Sequence, residues 1–169
     1  MLTYQLYLIF IYPIIFILPA YAANGAPVIF GSGMPLDMGR KFMGKRIFGS
    51  HKTVKGLVSG IASGILVGLM ESFAPGLGFM AYVGIAQAFG AHAGDLLGSF
   101  VKRRAGMAEG KRLPLVDQYP FLIIALLFCV PLGHMPGLEG IAFLVVLTGI
   151  MHPLTNSIAN LMKLKDVPW

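Results

Sequence analysis

The stretch LTYQLYLIFIYPIIFILPAYAA, residues 2–23, carries no charged side chain. About 20 apolar residues in a helix cross the hydrocarbon core of a bilayer, so this stretch predicts a transmembrane helix. Residues 20–22, Ala-Tyr-Ala, also resemble the cleavage site of a signal peptide, but no Lys or Arg precedes the run and it exceeds a usual signal core. We therefore interpret it as a retained membrane span.

The rest of the chain has the composition of a membrane protein. Of its 169 residues, 56% are hydrophobic and 12% are charged, against about 25% charged residues in soluble domains. Four further apolar runs lie at roughly 57–73, 76–100, 116–133 and 138–162. The predicted fold class is an all-α integral membrane protein with five transmembrane helices in a single domain, 1–169. The lone cysteine, Cys129, can form no intrachain disulfide.

The thirteen Lys and Arg residues predict the orientation of these spans. They fall within roughly 24–56, within 101–115 and near the C-terminal end, whereas the turns at 74–76 and 133–137 carry none. The positive-inside rule then predicts an outside N-terminus and a cytoplasmic C-terminus. We expect 24–56 and 101–115 to be cytoplasmic loops, and a functional site at the cytoplasmic face of the cell membrane.

Two stripes of residues recur every four positions. The first is small: Gly56, Gly60, Gly64 and Gly68. It predicts close helix packing, either within the bundle or between subunits, and so leaves a homodimer open. The second is polar: Thr148, His152, Asn156 and Asn160. It predicts a face turned toward the bundle that forms interhelical hydrogen bonds.

Asp95 is the most informative acidic residue, because it lies within an apolar run. A charged carboxylate near the bilayer centre costs about 2–3 kcal/mol, and less near the interface. Asp95, Ser99 and Lys102 are spaced i, i+4 and i+7 and share one helix face. One interpretation is an ion pair between Asp95 and Lys102 that only neutralises the acid. The other is a functional site.

The residue types around Asp95 suit a metal-bound polyphosphate. Mg²⁺ prefers carboxylate and phosphate oxygens and usually takes one or two protein acids. Asp117, where the chain re-enters the membrane, is the natural second acid, although an Asp before a span is also a common helix-start residue. We therefore predict that Asp95 and Asp117 hold Mg²⁺, with Lys102, Arg103 and Arg104 beside the phosphates.

The first cytoplasmic loop combines a glycine-rich segment, 31–39, with a basic segment, 45–53, and contains no Walker signature. Lys52 and Thr53 could contact phosphates. A flexible surface loop, or basic side chains on anionic lipid head groups, are alternatives that the sequence leaves open.

Together these motifs resemble those of archaeal CDP-archaeol synthases, relatives of the phosphatidate cytidylyltransferases. The resemblance covers most of the chain and rests on residues 19–24 with Pro27, 35–39, 51–53 with Gly56, 94–104 and 117–118. Residues 99–103, Ser-Phe-Val-Lys-Arg, resemble the opening of the broader cytidylyltransferase signature. The Lys-Asp, His-Gly-Gly and Asp-Arg-x-Asp parts of that signature are missing, which leaves the number of metal ions open.

The resemblance implies transfer of a cytidylyl group from CTP to the phosphate of a glycerol diether carrying two geranylgeranyl chains. CTP, that lipid, the membrane and Mg²⁺ would be the partners, and nucleic acid would not. The implied catalytic residues are Asp95, Asp117 and Lys102, and the implied substrate-binding residues are Asn24, Asp37, Lys52, Thr53, Ser99, Arg103 and Arg104. A lipid phosphomonoester has a second pKa near 6, so it is mostly dianionic at neutral pH and needs no general base.

Two other classes of function fit the sequence less well. A small ion or metabolite transporter using Asp95 is the non-enzyme alternative, although Asp95 lies beside a basic cluster instead of near mid-membrane. A CDP-alcohol phosphatidyltransferase needs closely spaced aspartates on adjoining helix turns. The acids expected on the cytoplasmic side are too scattered for that pattern: Asp37, Asp95, Glu109, Asp117 and Asp166.

Overall fold

The computed structural model describes residues 1–165, so that Asp166 lies outside the described residues. Most of this part is helical. The helices are α1 Leu2–Phe30, α2 Val54–Ser72, α3 Met80–Arg104, α4 Pro114–Gln118, α5 Pro120–Cys129 and α6 Leu138–Leu161. A π-helical turn, Tyr7–Ile11, lies within α1, and a 3₁₀ turn, Val130–Leu132, follows α5. Two short antiparallel strands, β1 Lys41–Phe42 and β2 Lys45–Arg46, lie between α1 and α2.

Three of the described helices are both long and apolar enough to cross a membrane: α1, α2 and α6. The apolar helix Pro120–Leu132 is shorter, and α3 is long but ends in three consecutive basic residues. The structure therefore agrees with a mostly helical membrane protein.

The first helix is longer than the sequence predicted. α1 continues past residue 23 to Phe30, so Asn24 lies inside a helix and not in the expected loop. Pro19 and Pro27 do not break it, although an internal proline removes a helical hydrogen bond and displaces a carbonyl.

Gln87 of α3 explains how α1 tolerates Pro19. The amide of Ala20 donates to Gln87 Oε1 at 3.1 Å, and Gln87 Nε2 donates to the carbonyl of Phe16 at 2.5 Å. The fully buried Gln87 thus gives hydrogen-bond partners to two backbone groups of α1 on either side of Pro19. This role could not be predicted from the sequence, because nothing local to Gln87 identifies a partner 67 residues away.

The glycine stripe of α2 packs inside the chain. All four of its glycines are buried. A Cβ added at Gly64 would lie 2.8 Å from Ala88 Cβ on α3 and 2.9 Å from the carbonyl of Pro19 on α1. One added at Gly68 would lie 2.6 Å from Gly84 Cα. The prediction of close packing is therefore confirmed, and α1, α2 and α3 form a tight three-helix unit.

The outer helices complete the bundle. α5 packs on α3, where a Cβ added at Gly90 would lie 2.7 Å from Ala125 Cα. α6 packs mainly on α1, and its fully buried Thr148 shares a 2.7 Å hydrogen bond with the Tyr21 hydroxyl. This bond confirms the predicted interhelical hydrogen bonding for Thr148, whereas Asn156 and Asn160 bond to His152 in α6 and to Lys165 just beyond it.

The segment between α1 and α2 is ordered by hydrogen bonds, which argues against a flexible loop. β1 pairs with β2, the Leu36 amide donates to the Lys52 carbonyl at 2.6 Å, and Pro35 forms an isolated bridge with Thr53. These bonds return the chain to the start of α2 and place Lys52 beside α3. The predicted all-α fold is thus modified by one small hairpin.

Candidate functional site

The first element of the site is an ion pair between Lys52 and Asp95. Lys52 Nζ lies 2.6 Å from both carboxylate oxygens of Asp95, and each side chain is 29% exposed. The backbone path from Pro35 to Thr53 positions Lys52, and α3 positions Asp95. The carboxylate is therefore neutralised, yet it remains accessible from outside the protein.

The second element is an ion pair between Lys102 and Asp117. Lys102 Nζ lies 2.6 Å from Asp117 Oδ1, and Asp117 Oδ2 accepts the amide of Leu113 at 2.7 Å. In the latter bond Asp117, inside the first turn of α4, reaches back to the amide of the N-cap residue Leu113, as the acid of a capping box does. Asp117 can therefore be both a helix-start residue and a functional acid. Its Oδ2 holds the start of α4, and its Oδ1 pairs with Lys102.

The ion pair between Asp95 and Lys102 that the helix spacing suggested does not form. Both side chains belong to one face of α3, but Lys102 contacts Asp117 and Asp95 is taken by Lys52. Seven residues along a helix span about 10 Å, so each acid finds a nearer cation on another segment. The result is two carboxylate–lysine pairs instead of one.

Each pair borders its own recess. The larger has a polar lining of His51, Lys52, Thr53, His92 and Asp95. The smaller is lined by Arg112, Asp117, Gln118, His152, Pro153 and Asn156. Each lining combines one carboxylate with one Lys or Arg and neutral polar side chains, a chemistry suited to phosphates that carry a bound cation.

Asp37 organises the hairpin. Its buried carboxylate accepts bonds from the Arg46 guanidinium and from the backbone amides of Gly39, Phe48 and Gly49. Burial alone would raise the pKa of Asp37, but these bonds outweigh it and lower the pKa well below its usual range. All of its described contacts are thus within the loop.

The two arginines after Lys102 contact groups other than Asp95 and Asp117 among the described residues. Arg103 is buried and donates to the Ala108 carbonyl at 3.1 Å. Arg104 donates to the carbonyls of Phe42, Lys45 and Arg46. Its guanidinium carbon also lies 5.4 Å from the Phe42 ring centroid and 5.1 Å from that of Phe100. These contacts brace the hairpin against the end of α3.

Of the three remaining predicted residues, one lines a recess and two do not. Thr53 is the N-cap of α2, accepting the Gly56 amide at 3.0 Å, and it also lines the larger recess. Ser99 is half-buried on α3, and Asn24 is half-buried within α1. Neither lines the two recesses.

Two residues that were not predicted belong to the site region. His92 lines the larger recess, and its buried Nε2 has no hydrogen-bond partner within residues 1–165. Its position three residues before Asp95 on α3 could have identified it. Glu109 accepts the amide of Ser50 at 3.0 Å and the Ser50 hydroxyl, and these bonds lower the pKa of Glu109. It ties the second loop to the turn that precedes Lys52.

The donors present fit a metal ion that arrives with a nucleotide. Within the described part of the chain, no three His, Cys, Asp or Glu side chains converge as a protein-only cage requires. Mg²⁺ bound to phosphates needs only one or two carboxylates. The Lys52 ammonium group, on both oxygens of Asp95, already holds positive charge where a metal would bind.

Comparisons with known proteins agree with one another. Residues 5–169 match the family model described as CarS-like, CDP-archaeol synthase. The CDP-archaeol synthase of Pyrococcus abyssi is 44% identical over 160 residues, covering 91% of this chain and 95% of the relative. That of Methanopyrus kandleri is 45% identical over 159 residues, covering 91% and 90%.

A solved structure is also similar. It is described as giving structural insight into an intramembrane enzyme for archaeal membrane lipids biosynthesis. It is 38% identical in sequence, with a TM-score of 0.79, and the match covers 85% of this chain and 91% of the other. The helical arrangement described above is therefore one that an intramembrane enzyme also has.

Proposed function

Because the chain belongs to the CDP-archaeol synthase family, we propose that it transfers the cytidylyl group of CTP to 2,3-bis-O-geranylgeranyl-sn-glycerol 1-phosphate. The products are unsaturated CDP-archaeol and pyrophosphate, in a step of archaeal membrane phospholipid biosynthesis. The observation that carries the proposal is the pair of accessible carboxylates, Asp95 and Asp117, each beside a lysine.

The chemistry requires little acid–base catalysis. An oxygen of the lipid phosphate attacks the α-phosphorus of CTP, and the bond from that phosphorus to the oxygen bridging to the β-phosphate breaks. Pyrophosphate leaves with that oxygen. The attacking phosphomonoester is already mostly dianionic at neutral pH. The protein therefore has to position two phosphorylated substrates and to stabilise the charge that develops on the leaving group.

We assign Lys52 and Lys102 to charge stabilisation. In the structure both ammonium groups are held by carboxylates, at 2.6 Å. Asp95 and Asp117 would hold Mg²⁺, which when bound neutralises phosphate charge and makes pyrophosphate a better leaving group. The two lysines would then be released from the carboxylates to contact phosphate oxygens.

We further propose that five segments cross the cell membrane: α1, α2, α3, the helix Pro120–Leu132 and α6. The N-terminus would be outside, and both recesses would face the cytoplasm, where CTP is available. Restriction of the cations to alternate connections supports this orientation. Reporter fusions after residues 75, 110 and 135 test it. The glycine stripe that left a homodimer open packs within the chain and so gives a dimer no support.

The test uses purified protein in lipid, with CTP, Mg²⁺ and the diether glycerol phosphate. We expect CDP-lipid and pyrophosphate in equal amounts, only in the presence of Mg²⁺. Asp95→Asn and Asp117→Asn should each abolish product, whereas Glu139→Gln, at the start of α6, should not. Folded protein that forms no CDP-lipid would contradict the proposed function.

A further inference from the structure

The segment between α1 and α2 exposes large apolar side chains at two tight turns. Met38 and Met43 are 62% and 79% exposed, and Phe42, next to Met43, is 52% exposed. Met43 lies at the tip of the hairpin, between β1 and β2, and Met38 lies in the turn just before β1. A group of exposed apolar side chains in a short polar segment is typical of a surface that another molecule covers.

Both methionines have a backbone conformation that favours other residue types. The φ angle is 48° at Met38 and 52° at Met43, and a glycine with a φ of 76° follows each. Each Met-Gly pair is the centre of a four-residue turn, closed by the Arg40 amide on the Asp37 carbonyl in one case and by the pairing of β1 with β2 in the other. Turns with two positive φ angles usually begin with Asn, Asp or Gly. An apolar side chain at such a position opposes local stability, which points to a role for the side chain itself.

Cations accompany these methionines. Arg40 and Lys41 lie between them in the sequence, Lys45 follows the second, and all three are exposed. Asp37, the single acid in residues 31–50 of the sequence, is buried and bonded within the loop. The exposed surface of the hairpin therefore combines apolar and positively charged groups, as do surfaces that bind anionic lipid head groups.

The hairpin lies beside the last turns of α3. The ring centroid of Phe42 is 6.3 Å from that of Phe100, and the guanidinium carbon of Arg104 is 5.4 Å from the Phe42 centroid. Leu97 and Val101, one turn apart on α3, are also exposed and apolar. The apolar surface of the hairpin is thus continuous with an apolar surface at the end of a helix of the bundle.

We infer that this surface docks on the lipid bilayer around the protein, with its apolar side chains below the head groups and its cations on the head-group phosphates. The two helices that the segment connects, α1 and α2, are long and apolar enough to cross a membrane, so the segment lies at a membrane surface. Docking would hold the segment that carries Lys52 at the level of the lipid phosphates. The docking surface comprises Met38, Phe42 and Met43 with Arg40, Lys41 and Lys45.

Fluorescence quenching locates the hairpin relative to the bilayer. The full chain with Met43→Cys, labelled with an environment-sensitive fluorophore, is placed in nanodiscs that contain lipids with a nitroxide on the acyl chain. The nanodiscs are made of phosphatidylglycerol or of phosphatidylcholine. Lys111→Cys, an exposed position in the polar sequence 109–112, is the control. Because the native Cys129 is buried, the unsubstituted protein measures the background labelling.

In phosphatidylglycerol, quenching at position 43 should be at least about twice that at position 111, because an apolar surface flanked by cations lies in the interface. Quenching at position 43 should be weaker in phosphatidylcholine, which has no net negative charge. Quenching at position 43 that is no greater than at position 111 would overturn the inference. Equal quenching at position 43 in the two lipids would overturn the recognition of anionic head groups.

A double variant separates docking from a role in the turns alone. Met38→Asn with Met43→Asn supplies a residue that favours both turns but removes the apolar side chains. In phosphatidylglycerol nanodiscs it should speed hydrogen exchange in residues 38–46 about fivefold, because the burial of two side chains in lipid is lost. Met38→Leu with Met43→Leu, which keeps apolar side chains of similar volume, should stay within about twofold of the wild type.

Unchanged or slower exchange in the asparagine variant would mean that the methionines serve no membrane contact, and would overturn the inference. Neither measurement uses CTP or the diether glycerol phosphate. Failure of docking and failure of the proposed function are therefore observed separately.

Discussion

The ammonium group of Lys52, just before α2, lies 2.6 Å from both carboxylate oxygens of Asp95 on α3. The two residues are 43 positions apart and meet because the hairpin returns the chain to the start of α2. The pair joins the segment between α1 and α2 directly to the acid with the clearest functional character. A substrate phosphate or a metal ion that separates the two side chains would therefore also release the segment before α2 from its contact with Asp95.

The first prediction concerns Lys52 itself. Lys52→Met should lower kcat/KM for CTP about 100-fold, because a preorganised cation that stabilises transferring phosphate charge is lost. Lys52→Arg should keep part of the activity, since it retains the charge. Lys55→Met, an exposed lysine on the adjoining turn of α2, is the control.

A purely structural role for Lys52 would give a different pattern. Lys52→Met would then lower the midpoint of thermal unfolding and would affect kcat/KM for CTP less than about threefold. Measuring both quantities on the same detergent-purified samples separates the two roles.

The second prediction follows from the bonds of Asp37. Because its folded-state pKa is lowered, ionised Asp37 stabilises the hairpin above its unfolded pKa, about 4. That stabilisation declines as the pH falls below this value and is lost at the folded-state pKa. Hydrogen exchange in residues 37–49 should therefore show protection at neutral pH that diminishes in acid.

The variant Asp37→Asn provides the comparison. It should lose protection in the same residues at neutral pH and show little further change in acid. Equal protection in the variant and the wild type at pH 7 would contradict the organising role of Asp37.

The third prediction tests the helix interface. Gly68→Ala should destabilise the protein by about 1–3 kcal/mol, because the new Cβ would lie 2.6 Å from Gly84 Cα and force α2 away from α3. Gly25→Ala is the matched control, since a Cβ there meets nothing within 4 Å. Thermal unfolding in detergent should give a lower midpoint for the first variant and an equal or higher one for the second. Equal midpoints for Gly68→Ala and wild type would exclude tight packing at this site.

Features that depend on one helix were predictable from the sequence. The stripe ending at Gly68 and the stripe containing Thr148 are periodic, and one helix face brings their members together. Asp95 was identified because a carboxylate in an apolar run requires an explanation. In each case the signal lies within about 25 consecutive residues.

Features that depend on contacts between segments were not predictable. The partner of Asp95 was expected seven residues away on α3, but Lys52 is nearer in space. Gln87 gives no local sign that it repairs α1, and the loop hairpin depends on Asp37 finding four donors. Spacing along one helix carries no information about which segments the fold brings against it.

The last prediction concerns Arg104, for which sequence and structure suggest different roles. The basic cluster predicted a phosphate ligand, whereas its guanidinium donates to three loop carbonyls and lies against Phe42 and Phe100. Lysine keeps the charge but lacks the planar fork of donors. Arg104→Lys should therefore speed hydrogen exchange in residues 40–47 about tenfold, since a charge-assisted bond is worth about 1.5–3 kcal/mol.

The KM for CTP distinguishes the two roles of Arg104. If Arg104 braces the hairpin, Arg104→Lys should leave this KM within about twofold, and Arg40→Lys, an exposed control on the same hairpin, should alter neither quantity. If Arg104 instead binds a phosphate of CTP, Arg104→Lys should raise the KM for CTP and leave hydrogen exchange in residues 40–47 unchanged. Because Lys52 follows the hairpin closely, a brace that positions Lys52 should lower kcat in Arg104→Lys while the KM for CTP stays within twofold. The loss of kcat in the double variant with Lys52→Met should then be smaller than the product of the two separate losses of kcat.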